Sequence, residues 1–135
     1  MVSRRGPPTA TTPRWPPIAG VDVLPGWGTD TVDVRSTLAG TPTWISSGAN
    51  GSDTIVLNGG GSENVQGIQG QVDIENSPFD KTTIDVSDSQ DTTARNVVLN
   101  SFLGYPDDPG LWGSITGLAP AVIEYEYFWT SGLNI

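Results

Sequence analysis

Two short phrases recur along this chain in aligned form, Gly28-Thr29-Asp30-Thr31-Val32-Asp33-Val34 and Gly51-Ser52-Asp53-Thr54-Ile55-Val56-Leu57. Each joins a Gly-Xaa-Asp turn to a short run in which β-branched residues alternate. A strand this short cannot bury a core by itself, so its recurrence implies coils that stack and share one. No catalytic residue travels with the repeat, and shape is therefore more legible than activity.

From Val21 onward apolar residues recur at period two, and glycine or asparagine interrupts them at intervals, which predicts short strands. The expected strands are residues 31–35, 41–46, 54–58, 71–75, 82–87, 95–100 and 123–128, with no helix. Val32, Ile55 and Ile84 begin equivalent strands, while Ile45, Ile74 and Val98 occupy the alternate ones, giving two strands per coil. Val34, Leu57 and Val86 should share the inward face with the first set, with Asp33 and Asp85 pointing out. Asn58 to Ser62 and Ser101 to Trp112 read as loops. The predicted fold class is all-β, a parallel β-solenoid of about three to five irregular coils. The last residues, Leu133-Asn134-Ile135, read as a strand cut short, so a fragment of a longer stack is expected.

Residues 1–20 read as a separate, disordered leader, because five prolines interrupt them and little aliphatic periodicity is present. The solenoid domain is assigned to residues 21–135. Arg4, Arg5 and Arg14 belong to the leader. The domain therefore keeps three basic residues, Arg35, Lys81 and Arg95, against fifteen acidic ones, a net charge of −12 where the whole chain has −9. Such a surface repels phosphate backbones and anionic membranes, which argues against nucleic acid and against membrane insertion.

The chain has neither cysteine nor histidine. This excludes disulfides and thiolate chemistry and removes the commonest general base and zinc ligand. No apolar run is long enough to span a bilayer, and no signal peptide is visible. No enzyme is expected.

The segment Gly48-Ala49-Asn50-Gly51-Ser52-Asp53-Thr54-Ile55 follows the calcium-binding nonapeptide Gly-Gly-Xaa-Gly-Xaa-Asp except at Ala49, and Gly26 to Val32 follows its later part. Glycines expose carbonyls and aspartate adds a carboxylate oxygen, a donor set suited to a hard cation, so Asp30 and Asp53 are the calcium candidates. The competing reading is a tight turn in which the carboxylate bonds nearby amides. At the third coil, Phe79-Asp80-Lys81-Thr82-Thr83-Ile84 is read as losing both glycines and the aligned aspartate. Glu124 and Glu126 read as a solvated outer face, and Asp107-Asp108, between two prolines, as a turn. Ile123, Tyr125 and Tyr127 should cover the end of the core. Arg35, Lys81 and Arg95, the only bases a polysaccharide lyase could use, stand in separate coils and read as surface charges.

Thr29-Asp30-Thr31-Val32-Asp33-Val34, the segment from Gly48 to Ile55, and Ile68-Gln69-Gly70-Gln71-Val72-Asp73-Ile74 together resemble the degenerate β-solenoid repeats of giant bacterial surface and secreted proteins, related to hemolysin-type calcium-binding repeats. The resemblance implies an extracellular or cell-surface location and a structural or adhesive role, with no catalytic residue to carry over. Only Asp30 and Asp53 would transfer, as calcium ligands, and no other cofactor is implied. Expected partners are surface glycans or proteins, neighbouring repeats of a longer parent chain, or further copies joined through open ends. The alternative is a carbohydrate-binding or polysaccharide-lyase-like β-helix module using Trp44, Trp112, Tyr125 or Trp129 to stack on sugars.

Overall fold

The structure, a computed structural model, describes residues 20–59, 61–76, 80–106 and 108–135. The disordered leader expected over residues 1–20 lies, except for Gly20, outside the described residues. The chain is all-β. Its strands are β1 (Val21–Val23), β2 (Thr31–Val34), β3 (Thr43–Ser46), β4 (Thr54–Leu57), β5 (Val72–Glu75), β6 (Thr82–Val86), β7 (Val98–Tyr105), β8 (Asp108–Thr116), β9 (Ile123–Glu126) and β10 (Thr130–Asn134). Among the described residues the only helical element is a 3-10 turn, Val65–Gly67, whose first N–H groups are met by Asn64 and Asp88 side chains.

Two sheets result. The larger has the order β1-β3-β5-β9-β8-β7 and the smaller β10-β6-β4-β2. The first six strands alternate between the sheets in chain order, and β9 and β10 repeat that alternation after the β7–β8 hairpin. Neighbours from β1 through β9 in the larger sheet are parallel, as are all neighbours in the smaller one. From β1 to β4 each strand therefore skips the next one in sequence to pair with the one after, which demands a chain that turns back upon itself twice between partners.

Alternation places the core between the sheets. Val34, Ile55, Leu57, Ile84 and Val86 from the smaller sheet meet Ile45, Val72, Ile74, Ile123 and Tyr125 from the larger, and all are buried. Val32, Ile55 and Ile84 lie in direct register, as do Val34, Leu57 and Val86. The expected register of the smaller sheet is thus what the chain adopts, because a one-residue slip would turn every aliphatic outward.

Four expectations are corrected. The larger sheet is mixed, since β7 and β8 run antiparallel. The presumed loop from Ser101 to Trp112 is mostly that hairpin, whose alternation is masked by Gly104, Pro106, Pro109, Gly110 and Gly113. Val98 belongs to it, and the residue opposite Ile74 is Tyr125. Finally, Tyr127 lies outside the core, in an exposed turn. β1, absent from the expected set, is only three residues long, and β10, expected only as the strand ending at Leu133-Asn134-Ile135, starts at Thr130, where Gly132 weakens the period-two signal.

Candidate functional site

The repeated Gly-Xaa-Asp turns lie on top of each other at the corner that leads into the smaller sheet. Gly48 is packed on Gly26 so closely that a Cβ would lie 1.3 Å from the Gly26 carbonyl oxygen, and a Cβ on Gly51 would lie 1.5 Å from that of Gly28. The glycines of the second phrase are therefore required by backbone contact with the first. Gly26 and Gly28 themselves have positive φ, at 97° and 113°.

The aspartates cap this stack. Asp53 Oδ1 accepts the Asp30 N–H at 2.8 Å, and Asp80 Oδ1 accepts the Gly51 N–H at 3.2 Å as well as that of Lys81 at 2.9 Å. Asp88 Oδ1 does the same for Val65 at 3.0 Å. In each case a carboxylate satisfies an amide contributed by an earlier turn of the chain, and such charge-assisted bonds are stronger than neutral ones. The aspartate that sequence alignment finds missing near Thr82 is present after all as Asp80, two residues earlier. Its place two residues ahead of Thr82 is the signal the sequence offers.

Asp53 and Asp80 are 1% and 0% exposed, and their Oδ2 atoms have no hydrogen-bond partner. Burial pushes the Asp53 carboxyl above its usual pKa, and the charges of Asp80 and Asp30 add to that effect. Two orphaned carboxylate oxygens suit a hard cation in kind. They fall short in number of the roughly six to eight oxygens calcium takes, and among the described residues no three acidic side chains gather into a metal-holding group. Asp30 contributes its main chain to this corner.

A second acidic constellation lies on the outer face of the larger sheet. Asp22, Trp44, Asp73 and Glu124 form one row in register across β1, β3, β5 and β9. Gln71 Nε2 donates to Asp73 Oδ1 at 2.8 Å and to Glu124 Oε2 at 3.1 Å, so one amide ties the two carboxyls together. Burial lifts the Asp73 carboxyl to about 6, with Glu124 and Glu75 adding to the rise against the Gln71 hydrogen bond. Asp73 thus gives up its proton at about pH 6 instead of in the ordinary carboxylate range, and it is 3% exposed. Glu126, expected in solvent, is buried, and its Oε2 accepts the Asn76 N–H at 3.1 Å.

The aromatic residues divide between two roles. Trp112 is wholly buried, with its ring 6.5 Å from that of Phe102, and Tyr125 belongs to the core. These two are packing residues and cannot stack on a sugar. Trp44 is half-buried, and Gly20 lies against its ring, where a Cβ would be 1.9 Å from Trp44 Cζ3. Trp129 packs edge-on against Phe128 at 4.8 Å.

The three bases stand apart. Arg35 pairs with Asp33 at 3.1 Å, Arg95 with Asp91, and Lys81 is exposed. No protein-family model, no curated protein and no solved structure matches this chain. Among the described residues, no helix is long and apolar enough to cross a membrane.

Proposed function

We propose that this chain is a segment of a β-solenoid that serves as a non-catalytic structural or adhesive element of a secreted or cell-surface protein. Four strand pairs, β1/β2, β3/β4, β5/β6 and β9/β10, are its coils, and the hairpin β7–β8 is an insertion between the third and fourth. The observation that carries this reading is how the acidic residues are used. Asp53, Asp80 and Asp88 each hold an amide of an earlier turn, so the features that suggest a metal or catalytic site in sequence serve the stacking of coils. The resemblance to surface-protein repeats supports the same reading, including the location and the role in adhesion.

A second reading is favoured by one observation, the presence of Trp44 in the same outward row as Asp73 and Glu124. A half-buried indole in line with the Glu124 carboxyl is the arrangement a neutral glycan would use, stacking on the ring and bonding to that acid. Calorimetric titration with neutral and acidic polysaccharides separates the two. The structural reading expects no heat with any of them. Binding that Trp44→Ala abolishes would establish the glycan-binding module instead.

A further inference from the structure

The larger sheet outruns the smaller one at its β7 end. β9 pairs with β5 and β10 with β6, so β9 and β10 form the last level at which both sheets have a strand. Beyond it β8 and β7 extend the larger sheet alone, and among the described residues no strand of the smaller sheet faces them.

The inward face of this overhang is apolar. Ile115 opposite Ile123 and Gly113 opposite Tyr125 continue the core side of β9. The Tyr125 ring lies so close over Gly113 that a Cβ there would be 2.2 Å from its Cζ, and the core ends at that ring. By alternation Leu111 shares the face of Gly113 and Ile115, while Leu103, directly opposite Leu111, shares it from β7 together with Leu99. Leu111, Leu103 and Leu99 are 43%, 80% and 58% exposed. We propose that a second copy of this chain covers the face, in a two-fold dimer whose overhanging hairpins pack on each other. That dimer rests on the solenoid reading in one respect, that β9 and β10 belong to one coil.

The overhang is complementary to itself. Two strands of the larger sheet lack a facing layer, and two strands are what the second copy's overhang supplies. A two-fold axis along the strand direction, passing between the hairpins, puts each β8 across from the other copy's β7. The same rotation brings the free edge of β7 beside the free edge of the second copy's β10, so each copy covers two unpaired sheet edges at once. Head-to-tail stacking has no such fit. With β2 of a following copy set beside β10, its β1, from the same coil, would run into β8.

Charge permits the approach. The chain carries −9 overall, yet between Asn96 and Ile123 its only charged residues are Asp107 and Asp108, and β10 has none. A second acidic copy is repelled least where leucines meet leucines.

Light scattering on the full-length chain at about 100 μM, with Leu103→Asp and Leu24→Asp beside it, tests this. The proposal expects a dimer for the unmodified chain and for Leu24→Asp, whose leucine is exposed next to β1 at the opposite end. Leu103→Asp, with native circular dichroism, should raise the dimer dissociation constant at least about a hundredfold, because symmetry introduces the charge twice. If that variant loses its fold, Leu99→Asp takes its place with the same expected result. A monomeric unmodified chain overturns the proposal. So does a dimer that the aspartate leaves intact, or one that grows into larger species with concentration, the mark of head-to-tail contact. Amide exchange on the same samples separates this from the solenoid reading. The Leu57 carbonyl accepts from Ser87, just after β6, at 3.0 Å, so the amides of Leu57 and Ile55 face β6 too. Their protection in a monomeric sample leaves the solenoid reading standing without the dimer, whereas their fast exchange removes both.

Discussion

The carboxylate of Asp53 accepts the backbone N–H of Asp30 at 2.8 Å, while the Asp30 carbonyl accepts the N–H of Thr54 at 2.9 Å. One turn is thereby clamped onto the next through both main chain and side chain. Asp53→Ala leaves the part-buried Asp30 amide short of its acceptor and should cost about 2 kcal/mol in denaturant unfolding. Asp53→Asn retains an acceptor oxygen and relieves a buried charge, so it should remain within about 1 kcal/mol of the parent. An alanine variant as stable as the parent would show that the bond contributes nothing.

Glycine at positions 48 and 51 is set by distance to backbone. Because a Cβ would fall 1.3 Å and 1.5 Å from carbonyl oxygens of the turn beneath, Gly48→Ala and Gly51→Ala must push the two turns apart. Each should destabilise by about 3 kcal/mol or more. Gly132→Ala provides the comparison, since its Cβ would meet Thr83 at an ordinary 3.6 Å, and thermal melting should leave it within about 0.5 kcal/mol of the parent. Equal effects at all three positions would contradict the stacking of the turns.

The raised Asp73 carboxyl sets a direction for pH dependence. Its folded pKa of about 6 exceeds the ordinary 3.8, so the unfolded chain gives up this proton first as pH rises. Stability from this group is complete below about 4 and is lost as pH rises to 6. The loss is on the order of 1–2 kcal/mol, once water at the sheet surface is allowed for. Asp73→Asn fixes the protonated pattern, accepting from Gln71 and donating to Glu124. Chemical unfolding should therefore show it to be more stable than the parent at pH 7 and less dependent on pH between 4 and 6. Asp91, held down at about 2 by Arg95, acts in the opposite sense but only below pH 4. A parent whose stability climbs from pH 4 to 6 would refute this assignment.

Calcium offers a separate test of the turn aspartates. With too few oxygen donors gathered at Asp53 and Asp80, millimolar calcium should leave the melting temperature of the chain unchanged to within about 1 °C. A metal held by the native state would raise it by mass action, and such a rise, abolished by Asp53→Asn, would establish the site that the nonapeptide resemblance implies.

The sequence discloses the smaller sheet well because Val32, Ile55 and Ile84 repeat an aliphatic alternation that only one register can bury. Its reading fails where the local signal is displaced or diluted. Asp80 performs the capping role from two residues ahead of the aligned position, so a strict comparison of the phrases misses it. The hairpin is obscured by glycine and proline, and with it hidden, Val98 takes the place that belongs to Tyr125. Glu124 becomes a neighbour of Asp73 only when β9 is laid beside β5, across 51 positions of chain. The burial of Glu126 likewise depends on Asn76, a partner far away in sequence.

The central claim is that β4 passes over β5, the next strand in the chain, and lies beside β6. Val56 is opposite Asp85 in that pairing, both point away from the core, and the chain has no cysteine to compete. Directly opposed residues on adjacent strands are within the reach of a disulfide. Mild oxidation of a Val56→Cys/Asp85→Cys chain should give a near-complete intramolecular disulfide with native circular dichroism, while Val56→Cys/Lys81→Cys, out of register, should remain reduced. No intramolecular bond in the first chain, or equal bonding in both, would contradict the parallel pairing of β4 with β6.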